Sequence, residues 1–288
     1  MDDRVRVTIA DGVADVRLVR ADKMNALDVA MFEALVATSG RLAGEKGLRA
    51  VVLSGEGRAF CAGLDMGRFA AMKDGGGNGI PGGEKRDLSA RTHGLANFPQ
   101  QAVWGWRQLP VPVIAAIQGV AFGGGFQLAL GADMRFLTPD ARMSIMEIKW
   151  GLVPDMAGTP ILASLVRDDI LRDLTYTGRI FSAQEAMAYG LATRICDDPL
   201  AAALEVAREI AGKSPDAIRA AKRMLNNLSA DPGPALLAES VEQQKLLGSA
   251  NQTEAVRANI EKRAPRRSRS PAKSPARVRK RSAPPSGC

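Results

Sequence analysis

Two glycine-bearing turns carry the backbone best suited to chemistry. The first reads Ala59-Phe60-Cys61-Ala62-Gly63-Leu64-Asp65, the second Gln118-Gly119-Val120-Ala121-Phe122-Gly123-Gly124-Gly125-Phe126-Gln127. Each follows a β-branched run, 48–53 and 113–117. The three consecutive glycines, followed by Phe126-Gln-Leu-Ala-Leu, predict a helix start. Backbone without side chains there lets a ligand approach closely and offers it unpaired N–H donors. A phosphate cradle is one use of such donors. However, the chain has no GxxxxGK[ST], and Gly123-Gly124-Gly125 lacks GxGxxG spacing, which argues against a nucleotide loop. Taken singly, each turn reads equally well as a tight strand-to-helix connection. The other chemistry-bearing types are scarce. His93 is the only histidine, so a Ser-His-Asp arrangement has one candidate and a two-histidine metal site is excluded. Cys61, Cys196 and Cys288 are far apart and lack metal-ligand spacing, so no metal site is expected. Such sparse cysteine usage fits a reducing cytoplasm.

These turns need a scaffold, and the patterning describes one. Val5–Ile9 and Val13–Leu18 read as a strand pair around Asp11-Gly12. Asp28 caps a helix running to Leu42. Leu48–Leu53, Val113–Ile117, Met134–Leu137 and Arg142–Ile145 read as further strands, and Asn97–Gln108 as a helix that His93 enters. Strand–strand–helix units that recur along the chain predict an α/β body over residues 1–165. From 166 to 263 the chain reads as successive helices. Ser182-Ala-Gln-Glu185 opens one as a capping box, and others span Ala201–Ala211, Pro215–Leu228, Ala235–Leu247 and Gln252–Arg263. Met72–Lys85 holds six glycines and a proline and reads as a mobile loop.

The 288 residues are 46% hydrophobic, enough for a full core, which excludes a wholly disordered chain. No apolar run is long enough to cross a bilayer, and the opening MDDRVRV lacks the apolar stretch of a secretory signal. The net charge of +8 is local. Residues 264–288 hold eight bases and no acid, and without them 31 bases face 31 acids. That Ser-, Pro- and Arg-rich stretch predicts a disordered tail. It reads as a solvated extension rather than a nucleic-acid arm, because it has no aromatic residue for base stacking.

Together, the two turns resemble the oxyanion-hole turns of the crotonase (enoyl-CoA hydratase/isomerase) superfamily. The likeness extends over roughly residues 5–263. Arg20-Ala-Asp-Lys23-Met24-Asn25-Ala26-Leu27 resembles the family's early CoA loop. Met146-Glu147-Ile-Lys-Trp-Gly151-Leu-Val-Pro154 and Tyr176-Thr-Gly-Arg179 through Glu185-Ala, with Gly190-Leu191, also match its pattern. The resemblance implies a spiral of ββα units with a C-terminal helical trimerisation region, and homo-trimers or hexamers. It implies an acyl-CoA thioester substrate, coenzyme A being part of that substrate and no separate cofactor being needed. The N–H groups of Leu64 and Gly124 would hold the thioester oxygen, where an enolate's charge lands. Lys23, Met24, Ala26, Ala62, Asp65, Gly123 and Gln127 would contact substrate or CoA, and Lys262-Arg263 are further candidates for the CoA phosphates, at a neighbouring subunit's site.

The acid pattern departs from the family's hydratases, which carry two glutamates. The first of those positions is Gln127 here and the second is Glu147. Eight residues on stands Asp155, where hydratases have glycine. A glutamate–aspartate pair at the positions of Glu147 and Asp155 resembles the Δ3,5-Δ2,4-dienoyl-CoA isomerases, although these also carry an acid where this chain has Gln127. The implied reaction is a double-bond shift by a Glu147/Asp155 proton shuttle. Hydration by Glu147 alone is the alternative, and a crotonase-fold RNA-binding protein is a third reading. An aspartate at position 155 is also the nucleophile of aromatic dehalogenases in the superfamily, but retention of Glu147 disfavours that. From the residues alone, Asp155 reads equally as a helix cap near Ala157.

Overall fold

The computed structural model describes residues 4–73, 87–213, 215–226 and 233–263. Most of the predicted glycine-rich loop and the whole basic tail lie outside the described residues. Met72 and Lys73, expected in that loop, instead close a helix.

Nine strands are present among the described residues: β1 (Val5–Ala10), β2 (Val13–Leu18), β3 (Ala50–Gly55), β4 (Val113–Ile117), β5 (Val120–Phe122), β6 (Met134–Leu137), β7 (Arg142–Ser144), β8 (Phe181–Ser182) and β9 (Arg194–Ile195). The helices are α1 (Val29–Ala43), α2 (Met66–Lys73), α3 (Phe98–Gln108), α4 (Gly124–Leu130), α5 (Gly158–Leu162), α6 (Asp168–Thr177), α7 (Ala183–Ala188), α8 (Pro199–Ala211), α9 (Pro215–Asn226), α10 (Gly233–Leu246) and α11 (Ala250–Ile260). The main sheet runs β1-β2-β3-β4-β6-β9. Only β1–β2 is antiparallel, and a smaller sheet runs β5-β7-β8. The chain visits the large sheet, then the small one, then a helix, as β4–β5–α4 shows. This is the mixed α/β crotonase-like spiral that the turns implied.

Central strands β3 and β4 are apolar apart from Ser54 because both faces are covered. Alternation sends Val51, Leu53, Val113, Ala115 and Ile117 to one core with α1, α3 and α4. It sends Ala50, Val52, Ile114 and Ala116 to a second core under Ala203 and Ala207 of α8. Residues beyond 165 therefore complete the body. Helix α8 closes the sheet's outer face, and β9 extends its edge through Phe136↔Arg194 and Leu137↔Ile195. The composition of β8 and β9 gave no strand signal, since two residues are too few to show alternation.

Local signals place the element starts. The β1–β2 turn holds Asp11 at φ 50° and Gly12 at φ 78°, the left-handed pair that a tight hairpin needs. Asp28 receives the Met31 N–H at 2.8 Å, and Ser182 with Glu185 forms the expected capping box. Helix α3 has its own box from Asn97 and Gln100, so it starts after His93 rather than through it. His93 lies in a turn closed by paired backbone bonds with Ala96, its ring 5.8 Å from Phe98. No helix among the described residues is long and apolar enough to cross a membrane.

Candidate active site

The two glycine-bearing turns, distant in sequence, are hydrogen-bonded edge to edge. Phe60 N donates to Gln118 O at 2.9 Å, Cys61 N to Val120 O at 3.1 Å, and Phe122 N to Cys61 O at 3.1 Å. Two glycines make this approach possible. A Cβ on Gly63, which sits at φ 89°, would lie 2.5 Å from Phe122 O, and one on Gly125 would collide with Cys61 O. Consequently Leu64 and Gly124 meet on one wall, and neither N–H donates to another described residue. Cys61, between the turns, is filler: fully buried, its thiol is pushed up to about 12 by desolvation, and Sγ donates to Asn25 O.

The early loop is tied to the same wall. Ala62 N donates to Met24 O at 2.9 Å and Leu27 N to Gly63 O at 2.8 Å. Buried Asn25 donates to Glu56 O and Ala59 O, both at 2.9 Å, which holds Met24 and Asn25 at φ 50° and 54°. These ties bring Lys23, Met24, Ala26, Ala62, Leu64, Gly123 and Gly124 onto one cavity of about 290 Å³ with Glu147 and Asp155.

Glu147 opens a short 3-10 turn, Glu147–Trp150, after β7 and is 9% exposed. Its Oε1 accepts from Gln127 Nε2 at 2.7 Å, while its buried Oε2 has no hydrogen-bond partner among the described residues. Desolvation pushes its carboxyl up to about 7, against the opposing pull of the nearby backbone amides and Gln127. Asp155 is half-buried on the loop before α5. That loop carries Ala157 at φ 67°, and the oxygen receiving the Gly158 N–H at the helix start is that of Gln127, at 3.0 Å.

Two expected substrate contacts sit behind the cavity wall instead. Asp65 pairs with Arg20 at 2.7 Å and accepts the Gly67 N–H at 2.8 Å at the start of α2. Although burial opposes it, that N–H and the Arg20 guanidinium hold the carboxyl below its usual range. Gln127, 2% exposed, spends its amide on Glu147 and on the 156–158 backbone. Arg263 pairs with Glu254 and Glu261 and is not on the cavity. Trp106 is core, its Nε1 donating to Ala102 O, and half-buried Trp104 packs on the same cluster.

Sequence reasoning missed the apolar wall. Phe69 and Trp150 stack with centroids 4.0 Å apart and rings 17° from parallel, joined around the cavity by Met66, Met72, Leu152 and Met156. The i, i+3 spacing of Met66 and Phe69 was a usable signal. Gln243, from α10, carried none. Among the described residues no cluster of His, Cys, Asp or Glu is placed to hold a metal.

The chain resembles known proteins over most of its length. The family model for enoyl-CoA hydratase/isomerase matches residues 8–268. A carnitinyl-CoA dehydratase of Proteus mirabilis is 33% identical, over 92% of this chain and 98% of its own length. The mitochondrial Delta(3,5)-Delta(2,4)-dienoyl-CoA isomerase of Rattus norvegicus is 31% identical, over 76% of this chain and 68% of its own. The crystal structure of an enoyl-CoA hydratase/isomerase from Pseudoalteromonas atlantica superposes with a TM-score of 0.78 at 26% identity, covering 92% of this chain and all of that one. With its paired glycine turns, its spiral of sheets and a family match over nearly the whole folded body, the chain belongs to the enoyl-CoA hydratase/isomerase family.

Proposed function

We propose that this protein isomerises a double bond in an enoyl- or dienoyl-CoA by moving a proton between Glu147 and Asp155. The observation that carries the reading is the state of Glu147. It is a buried carboxyl poised near neutrality, on the wall of a cavity that also bears Asp155, with one oxygen held by an amide and the other without a hydrogen-bond partner among the described residues.

A general base works best with a pKa close to the operating pH. Glu147 Oε2 takes a proton from C2 of the thioester, and the electron pair moves onto the thioester oxygen as an enolate. The Leu64 and Gly124 N–H groups receive that oxygen, a donor pair of a kind whose members are each worth about 3–4 kcal/mol elsewhere. The pair then flows back along the conjugated chain, and its far carbon takes a proton from Asp155. Exchange with solvent returns each carboxyl to its starting state, so no atoms are gained or lost. The stacked Phe69 and Trp150 suit an apolar acyl chain.

Hydration is the second reading, favoured by the likeness to the carnitinyl-CoA dehydratase. Against it, Gln127 cannot transfer a proton, and both ends of its amide are engaged away from the cavity. Turnover of 3,5-octadienoyl-CoA and trans-2-octenoyl-CoA, with products identified by absorbance and mass, separates the two. A shifted double bond is expected. Efficient formation of a 3-hydroxyacyl-CoA with no action on the dienoyl ester would install the hydratase reading.

A further inference from the structure

The buried side chain that the mechanism leaves without a task is Gln127. It lies one helical turn into α4, 2% exposed, and makes three contacts. Its Oε1 accepts from Met156 N at 2.9 Å and from Gly158 N at 3.0 Å, and its Nε2 donates to Glu147 Oε1 at 2.7 Å. The two backbone donors settle the amide's orientation, because only an oxygen can receive them, and the NH₂ end must then face the carboxylate. The fit is close: a Cβ on Gly158 would lie 2.7 Å from Oε1. Between the two donors Ala157 stands in the left-handed region, so the amide oxygen spans a loop in an uncommon conformation.

We propose that Gln127 is a positioning residue, a one-way amide bridge that fixes Glu147 through Oε1, leaves Oε2 as the sole proton-exchanging atom, and ties it to the loop carrying Asp155. The proposal rests on Glu147 being the base. It follows from what other side chains would do there. An apolar side chain of equal size leaves two N–H groups and one carboxylate oxygen unpaired, and both cavity walls lose their link. A glutamate keeps an acceptor for the two N–H groups but sets a second carboxyl against Glu147. Such a pair shares one proton and titrates as a unit. With the backbone donors favouring charge on residue 127, the proton stays on Glu147 to higher pH. The other charged groups on the cavity wall are Lys23 and Asp155, and α4 contributes none. On helices α6 and α11, which pack on the 147–150 turn, Asp168 pairs with Arg172, Asp169 with Arg167, Asp173 with Arg179 and Glu254 with Arg263, while Arg257 is exposed.

The test is steady-state kinetics on 3,5-octadienoyl-CoA or trans-2-octenoyl-CoA, whichever the wild type converts faster, between pH 5 and 9. The proteins are wild type, Gln127→Leu, Gln127→Glu and Glu147→Gln. Gln127→Leu should lower kcat at least tenfold with KM within about twofold, because the base is misplaced and the binding wall is intact. Gln127→Glu, which keeps both backbone bonds and so folds, should move the acid limb of the kcat profile up by at least one pH unit. A Gln127→Glu profile that overlays the wild type, with equal kcat, overturns the proposal, whether or not Gln127→Leu folds. Glu147→Gln separates the two levels of argument. If it retains turnover, the base assignment itself fails. If it is inactive while Gln127→Glu behaves as wild type, only the bridge fails.

Discussion

Glu147 and Asp155 stand eight residues apart and face one cavity, yet their supports differ. Glu147 sits on the wall where the glycine turns are stitched together by backbone hydrogen bonds, and Gly123 N donates to Ser144 O at 3.0 Å just behind it. It is nearly sealed from water, and its pKa responds. Asp155 is half-buried on a loop whose shape depends on a side chain from another helix. The contrast suits the two jobs proposed for them. A base that must ionise near neutrality needs a dry, fixed site. A proton donor for the far end of a substrate needs access to solvent to be recharged.

Substitutions can break or sharpen this contrast. The largest effect belongs to the sealed wall. Glu147→Gln should lower turnover about 10³–10⁴-fold, the upper part of what a positioned base contributes, with the melting temperature at neutral pH no lower than wild type. Next comes the donor pair. Gly124→Pro removes one N–H, and the first position of a helix tolerates proline, so turnover should fall by about 10²-fold or more in a folded protein, as measured by kcat and circular dichroism. Asp155→Asn should cost about 10²-fold in isomerisation and leave any hydration of 2-enoyl-CoA unchanged. Full isomerisation by Asp155→Asn would mean that Asp155 serves only to shape the loop, because asparagine caps a helix about as well as aspartate.

The smallest effect is thermodynamic. The Glu147 carboxyl is raised from 4.5 to about 7 on folding. Between those values the folded chain holds a proton that the unfolded chain has lost. The stability this confers is fully present below about 4.5 and disappears as pH rises through 7. Glu147→Gln should therefore be more stable than wild type at pH 8, by up to about 3 kcal/mol from that shift, and should show no such gain at pH 4. Urea unfolding at the two pH values measures it. An equal difference at both would mean the carboxyl is not desolvated.

How much of the site was legible varies by residue. The glycine turns were readable because close backbone approach leaves few alternatives to glycine, as Gly63 and Gly125 show. Lys23, Met24 and Ala26 followed from a recognisable loop. The task of Asp65 did not, because a carboxylate's sequence position does not say whether it faces a substrate or an arginine forty-five residues away. Gln127 was read as a lost acid and a substrate contact, whereas its three partners come from two other segments.

The sequence by itself determined the longer strands, several helix starts and the family. Alternation over β3 and β4, the caps at Asp28 and Ser182 and the hairpin at Asp11-Gly12 are all short-range, set by residues within a few positions of one another. Only the tertiary structure decided the chemistry of the cavity. It brought Cys61 beside Ala121 and Phe69 onto Trp150, and it placed Gln127 between Glu147 and the Met156–Gly158 backbone. Burial and hydrogen-bond partnership belong to the packed whole. They are what move a carboxyl's pKa and leave one of its oxygens without a hydrogen-bond partner.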